Sequence, residues 1–574
     1  MSRAGERSCV RRVAALGLLL ALAPATTPRP AVAIQGPPGS ATLAEPIPFR
    51  TDSPHDHRAA PIAAGDLIYL LTPFPHALHA LRSAKGNFAT AWTFRPEADR
   101  RAYGLACCDL GLPGPTAVDG RLYLNTLDGR TVALEAASGR IVWNARTADP
   151  ARGETLASAP LVAAGRVYLG NAGDDFGVRG WIKALDAATG AELWTRYSTG
   201  PDAEVGLRSD YSPGEEADRA PDRGTVTWPS DAWRRGGGGV AGPILHDPEL
   251  SLIFHGTGHP APWNPEQRPG DNRWTSGLFA RDAATGAARW FVGLQPHDLF
   301  AYGATGPLLL IDRDWRGRAR KLLVHAGRDG FLTVLDRGTG ELLSAEAYVP
   351  VTAVTGVDLA TGRPTRDTAK TPNLNAVVRD VCPAWSGGTM AGGMAYAAET
   401  GLLYLAASRL CMDFEARQAS FMPGTAFTGA NLRVKTVAGT TAGALIAWDL
   451  AAGRAVWTRD ERFPLASAPL LLPGGRVAYG TLEGDLNILD ARDGVLVWQR
   501  RLPSGIVAPP VLLPRPDGRL RLAVVAGRGA IPGASAGQEV DLRDATAARG
   551  FGNALRDLPA PAEPGGALYV FDLP

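Results

Sequence analysis

The residues of this chain that could do unusual chemistry are two adjacent cysteines, Cys107-Cys108, a carboxylate pair, Asp174-Asp175, and two histidines four positions apart, His255 and His259. Neighbouring thiols can bridge only through a strained ring closed across the intervening peptide. In an extended segment His255 and His259 fall on one face, the arrangement a shared metal requires, although the spacing alone does not make them converge. Other reactive signatures are missing. The 574 residues contain no Gly-rich phosphate loop with its Lys, no metalloprotease His-Glu pair and no Cys-x-x-Cys-His haem site, so a covalently held haem is not expected.

The bulk composition excludes further classes. The 59 basic side chains nearly cancel the 57 acidic ones, which gives no electrostatic footprint for nucleic acid or an anionic membrane surface. Residues 1–33 read as a signal peptide: Arg11-Arg12, an apolar run from Val13 to Ala23, and the small-residue site Ala31-Val32-Ala33. A membrane anchor needs about 20 apolar residues, and Pro24 stops this run short of that. No membrane span is therefore expected after cleavage, and the protein is expected in the periplasm. Four cysteines remain, Cys107, Cys108, Cys382 and Cys411, an even count that favours two disulfides in an oxidising compartment.

The elements that must position these residues come from an internal repeat. An apolar strand ends in an acidic or polar residue, a short turn closes on Gly, and the next strand is closed by Trp. Clear copies run Asp186 to Gly190 and Trp194, Asp282 to Gly286 and Trp290, Glu135 to Gly139 and Trp143, Asp449 to Gly453 and Trp457, and Asp490 to Gly494 and Trp498. Weaker copies lie at Leu81 to Trp92, at Asp336 to Gly340, and at Val570-Phe571-Asp572. The carboxylate caps the amides of the turn, Gly supplies positive φ, and Trp is expected to pack between sheets. A second marker precedes several copies, as in Gly120-Arg121-Leu122-Tyr123-Leu124 and Gly165-Arg166-Val167-Tyr168-Leu169. Two markers in fixed order predict four-stranded blades. The expected fold is all-β, an eight-bladed propeller spanning residues 34–574 as one domain, with the C-terminal strand completing a blade begun near the mature N-terminus. An open solenoid is the competing architecture, and the irregular insertions between copies suit propeller loops better. The longest insertions separate Asp186 from Asp282 and Asp336 from Asp449.

Several segments together carry a family resemblance. Ala106-Cys107-Cys108-Asp109, Gly177-Val178-Arg179-Gly180, Thr227 to Trp233, His259-Pro260-Ala261-Pro262-Trp263-Asn264, Pro269-Gly270-Asp271-Asn272, Pro296-His297-Asp298, Cys382-Pro383 and Cys411-Met412-Asp413 make the chain similar to the quinoprotein methanol and ethanol dehydrogenases. The resemblance implies a periplasmic propeller with pyrroloquinoline quinone (PQQ) on its axis beside calcium or a lanthanide, oxidising primary alcohols and passing electrons to a cytochrome c. It implies bridges Cys107–Cys108, lying against the quinone, and Cys382–Cys411, and it places Arg328 in contact with the quinone.

Carried over position by position, the resemblance breaks at the chemistry. The family's metal-binding Glu falls at Asp175, one methylene shorter, and its metal-binding Asn at His259, a nitrogen donor where calcium prefers oxygen. The Trp that stacks on the quinone falls at Ala241, and the general-base Asp at Ala301. A quinone-binding Arg falls at Pro113, a Thr at Ala157, an Asn near Met390, a cavity Trp at Ala466, and an N-terminal Glu at Arg58. Losing an acid–base group costs roughly 10²–10⁴ in rate, so several such losses together argue against ordinary turnover. The sequence therefore supports a catalytically altered or inactive member that binds a small-molecule ligand or a periplasmic protein. The alternative is an active PQQ- and metal-dependent oxidoreductase with a rearranged site using Asp174, Asp175 or His259, and only then a cytochrome c acceptor. A third reading has the axial cavity, opened by Ala157, Ala241, Ala301 and Ala466, holding another ligand.

Overall fold

A computed structural model describes residues 47–573 apart from 54, 85–86, 100–101, 103–111, 208–220, 390–392, 438, 516, 529–554, 556 and 563–564. The described residues are almost entirely β, with a few single-turn helices, and none of those helices is long and apolar enough to cross a membrane.

Among the described residues, eight four-stranded antiparallel sheets follow one another. Sheet 1 consists of Ile62–Ala64, Leu67–Leu71, Leu78–Ala84 and Asn87–Phe94. Sheet 2 holds Thr116–Val118, Arg121–Asn125, Arg130–Glu135 and Ile141–Arg146. Sheet 3 holds Leu161–Ala163, Arg166–Gly170, Trp181–Asp186 and Glu192–Tyr197. Sheets 4 and 5 begin at Ile244–Asp247 and Leu308–Trp315, and sheets 6 and 7 at Met394–Ala397 and Leu470–Leu472. Sheet 8 joins Val511–Pro514, Leu520–Ala526 and Gly566–Asp572 to the N-terminal strand Ile47–Thr51, whose Ile47 faces Val570. Sheet 6 is interrupted: its second and third strands, Leu402–Ser408 and Gly443–Asp449, enclose a hairpin, Cys411–Ala416 and Ala430–Lys435, that pairs with Val377–Val381 in a separate three-stranded sheet.

Each sheet shares an apolar core with the next. The second and third strands do not alternate apolar with polar; they carry apolar residues on both faces, as expected where a sheet is covered on both sides. Leu122 and Leu134 of sheet 2 meet Tyr69 and Leu78 of sheet 1, while Tyr123 and Ala133 on the opposite face meet Val167 and Leu185 of sheet 3. The series continues through every neighbouring pair to Leu486 and Val524 between sheets 7 and 8. It closes on itself where Val525 and Leu568 of sheet 8 pack on Ile68 and Leu81 of sheet 1.

The repeated turns have the geometry their residues dictate. Asp186 Oδ1 accepts from the backbone N–H groups of Ala188 and Thr189 at 3.0 and 2.8 Å, and Asp282 repeats this with Ala284 and Thr285 at 3.1 and 2.9 Å. The turn Gly has a second reason to be Gly. At Gly190, φ is +76° and a Cβ would lie 2.7 Å from Cε3 of Trp143 on the preceding sheet. The indole of Trp143 donates to the carbonyl of Ala187 at 3.1 Å, and so does the hydroxyl of Tyr123, at 3.1 Å. Trp92 with Tyr69 on Ala136, and Trp457 with Tyr404 on Ala491, repeat this arrangement. In these three turns one backbone carbonyl accepts from two side chains of the sheet before it.

Candidate functional site

The candidate site is assembled from segments far apart in sequence. Asp174 and Asp175 open a single 3₁₀ turn, Asp174–Phe176, that ends on the left-handed Gly177. His259 and Trp263 lie in the segment after the strand Leu252–Gly256 of sheet 4. Asp298 and Ala301 follow the last strand of that sheet, Ala288–Gly293, and Arg328 follows Arg318–Ala326 of sheet 5.

The two expected metal positions are brought together. His259 Nε2 lies 3.2 Å from Asp175 Oδ1, and the indole N–H of Trp263 donates to that same oxygen at 2.8 Å. His259 Nδ1 lies 3.2 Å from the carbonyl of Pro260, so both ring nitrogens face acceptors. Burial works against charge on His259, but the hydrogen bond to Asp175 and the charges of Asp174, Asp175 and Asp298 outweigh it and raise its pKa above the ordinary value. The glycine cluster Gly236 to Gly239 lets backbone close over Asp174, whose Oδ1 accepts from Gly239 N–H at 2.6 Å. Although part of the residue's surface remains accessible, the carboxylate itself is walled by Gly237, Gly239 and Gly258. That enclosure raises its pKa to about 6 against the opposing pull of His259, the Gly239 amide and Arg328.

Asp298 is fully buried and committed to structure. Its Oδ2 accepts from Ser276 Oγ at 2.9 Å and Gly303 N–H at 2.8 Å, and its Oδ1 from Phe300 N–H at 3.1 Å. These bonds hold the loop on which Ala301 sits with φ 57°, a left-handed conformation uncommon for a residue with a Cβ. Ala301 is 1% exposed and belongs, with Ala466, Phe300, Tyr302 and Trp263, to a single apolar cluster. The position where the family resemblance implies a general base is thus a packed methyl group. Ala157 and Ala241, by contrast, are half-buried.

Arg328 donates from Nη2 to the carbonyl of Trp385 at 2.5 Å, and the Trp385 ring lies 5.8 Å from that of Trp263. Asp329, next to it, accepts from Gln295 at 2.9 Å and from Phe331 N–H at 3.2 Å. Burial raises its pKa to about 6, opposed by the Gln295 hydrogen bond. Asp329, Gln295, Tyr302 and Cys382 border a cavity of about 10 Å³, near the lower limit for one ordered water. Cys382 and Cys411 form a disulfide that ties the segment after Val377–Val381 to the hairpin of sheet 6. Cys107, Cys108 and Met390 lie outside the described residues.

The donor set fits a hard cation poorly. Calcium takes six to eight oxygen ligands in most proteins, whereas here Asp174 Oδ1, Asp175 Oδ1 and both oxygens of Asp298 accept from protein N–H and O–H groups. Among the described residues no group of three His, Cys, Asp or Glu side chains is arranged to hold a metal ion. For a quinone, Arg328 is present, while Pro113, Ala157, Ala241 and Ala466 offer no polar or aromatic side chain at the other described positions the resemblance implies. Trp263, Ser276, Gln295 and Trp385 complete the site without having been assigned roles from sequence. Trp263 had a signal, four residues after His259 within a recognisable motif, but nothing in the sequence paired it with Asp175.

An all-β protein whose described residues form eight successive four-stranded sheets, with its candidate site gathered from the loops between them, is a protein of the propeller class. The comparisons with known proteins agree. A family model described as the glucose/ethanol/alcohol dehydrogenase β-propeller domain matches residues 45–381, and one described as outer membrane protein assembly factor BamB matches residues 415–544. The chain is 35% identical over 533 residues to the lanthanide-dependent methanol dehydrogenase of Methylacidiphilum fumariolicum (strain SolV), covering 92% of this chain and 87% of that one. It is 35% identical over 538 residues to methanol dehydrogenase [cytochrome c] subunit 1 of Paracoccus denitrificans, covering 92% and 85%. The solved structure of a europium-containing methanol dehydrogenase superposes with a TM-score of 0.88 at 35% identity, covering 93% of each chain. The chain belongs to the PQQ-dependent methanol/alcohol dehydrogenase family.

Proposed function

We propose that this chain is an exported, single-domain, eight-bladed propeller of that family that does not oxidise simple alcohols, and that it binds a small-molecule ligand or a periplasmic protein. The eight-blade reading is supported by the eight shared cores that run in a closed series from sheet 1 back to sheet 1. The observation that carries the functional reading is Ala301: a methyl group, 1% exposed in an apolar cluster, stands where proton abstraction would need a carboxylate. Export rests on the leader pattern of residues 1–33.

A second reading, an active oxidoreductase with a rearranged site, is favoured by one feature. Asp174, held near a pKa of about 6 within electrostatic reach of His259 and Arg328, has the poise of a general base working near neutral pH. In that case electrons would pass to a cytochrome c, as the name of the Paracoccus relative indicates for that protein.

The deciding experiment incubates the purified chain with PQQ and either calcium or a lanthanide, then measures bound quinone absorbance and dye-linked oxidation of methanol and ethanol. No turnover is expected. Turnover near 1 s⁻¹, roughly the low end of ordinary enzymes, overturns the first reading in favour of the second.

A further inference from the structure

We propose that Asp175 is clamped by the indole N–H of Trp263 and the facing imidazole of His259 in the place where the lanthanide- and calcium-type relatives would be expected to hold a cation, and that this chain takes up neither calcium nor a lanthanide there. The inference concerns the same site as the reading above, but it stands or falls on what the site binds, whatever the turnover.

Three observations carry it. Asp175 Oδ1 already accepts from the Trp263 indole at 2.8 Å and faces His259 Nε2 at 3.2 Å. The other ring nitrogen of His259 faces the Pro260 carbonyl at 3.2 Å. The two ring nitrogens thus face a carboxylate oxygen and a carbonyl oxygen, and imidazole nitrogen is in any case a poor partner for a hard cation that prefers oxygen.

The neighbouring carboxylates are also turned toward the protein. Asp174 Oδ1 accepts from Gly239 N–H at 2.6 Å, and its other oxygen is pressed against Gly258. Asp298 accepts from Ser276, Gly303 and Phe300. A cation entering here would have to displace the His259 and Trp263 bonds and turn several carboxylate oxygens away from backbone amides. The imidazole ring is enclosed as well, with His259 7% exposed and Trp263 1% exposed. The site is therefore one in which an aromatic pair, His259 and Trp263, occupies the place of inorganic charge.

Trp263 provides the readout, because an indole this close to the carboxylate would sensitise a luminescent lanthanide bound to it. The full chain is titrated with Tb³⁺ at neutral pH while indole-excited Tb³⁺ emission is recorded. The wild-type protein is expected to give no saturable emission that depends on Trp263. The double variant Asp175→Glu/His259→Asn, which restores oxygen donors and removes the clamp, is expected to gain saturable emission that Ca²⁺ or La³⁺ competes away. The expected gain is on the order of 10–100-fold in Tb³⁺ affinity, the usual scale for changes around a metal site. Saturable emission from the wild-type protein that is lost in both Trp263→Phe and Asp175→Ala overturns the proposal. So does a folded double variant, checked by circular dichroism, that gains nothing. If the double variant does not fold, the wild-type titration decides alone. A protein that binds no Tb³⁺ yet turns over alcohol would retain this inference and remove the functional reading, and the reverse result would separate them the other way.

Discussion

Between sheets 2 and 3, Trp143 and Tyr123 both donate to the carbonyl of Ala187, and Gly190 leaves room for the indole. The same construction recurs between sheets 1 and 2 and between sheets 6 and 7. Around His259 the pattern is different: Asp175, Asp298 and Arg328 each come from a different loop and each has its own partners. An interface built by packing is specified by a local pattern that one chain can state many times. A site built by chemistry is specified by single side chains, and changing one of them leaves the scaffold pattern intact.

The contrast can be broken most forcefully at an interface. Trp143→Ala removes an indole that is 8% exposed, and large-to-small changes of buried aromatic residues cost about 3–5 kcal/mol. Urea unfolding should show that loss, with no effect on any binding activity of the folded fraction. Next in size is the Cys382–Cys411 bridge, which spans a sequence separation of 29. Closing a loop of that length is worth roughly 3–4 kcal/mol in the chain-entropy view. Thermal melts of the Cys382→Ala/Cys411→Ala variant, compared with the parent under non-reducing conditions, measure it.

A finer test compares two glycines with nearly the same backbone. Gly190 (φ +76°) faces the Trp143 ring, whereas Gly120 (φ +74°) has nothing within 4 Å of a Cβ. Gly120→Ala should cost about 1–2 kcal/mol, the left-handed penalty alone. Gly190→Ala should add roughly 1–3 kcal/mol of overpacking. Equal costs in denaturant titrations would remove the second role assigned to the turn glycine. At the site, Ala301→Asp places a carboxyl in an apolar cluster with no evident donor. It is expected to destabilise the fold by about 1–3 kcal/mol without conferring alcohol oxidation, and a dye-linked assay alongside the melt checks both halves.

The smallest effect is in pH dependence. Burial lowers the pKa of His255 to about 3 and of His325 to about 4. The unfolded chain therefore binds more protons as pH falls from about 6.5 toward 4, and stability is lost over that window. Asp174 and Asp329, raised to about 6, have the opposite sign: the native state binds the extra proton, so their contribution grows as pH falls through 6 toward the ordinary carboxylate range. Asp174→Asn should make the acid-side loss of the unfolding midpoint steeper than in the parent chain. An unchanged or shallower slope would contradict the burial assigned to that carboxylate.

These regions also differ in how legible they were. The turn from Asp186 to Gly190 and the following Trp194 could be read directly, because a carboxylate cap, a positive φ and an indole each leave a residue type at a fixed offset. The double donation onto Ala187 could not, since any residue can supply a carbonyl and Tyr123 is an ordinary strand residue in sequence. The core of each sheet was implied by its strands, but the interruption of sheet 6 by the hairpin Cys411–Ala416 and Ala430–Lys435 was hidden. That hairpin has apolar strands like any other. At the site, Asp175 and His259 were identified through resemblance as metal positions, and their closeness could be expected. Their direct pairing could not, because it depends on the ring orientation set by Pro260 and on Trp263 arriving from the same loop.

The pairing of Ile47–Thr51 with Gly566–Asp572 bears on how the molecule comes into being. A ribosome delivers Ile47 more than five hundred residues before Val570, its partner, so the first strand must wait, unpaired, until the chain is nearly finished. The entropy of joining ends grows only with the logarithm of the separation, which makes the wait tolerable thermodynamically. Kinetically it leaves sheet 8 as the final latch. Until it shuts, the cores that sheet 8 shares with sheets 1 and 7 are open to water and to other chains, and any machinery that guards the nascent protein has those two apolar faces to hold.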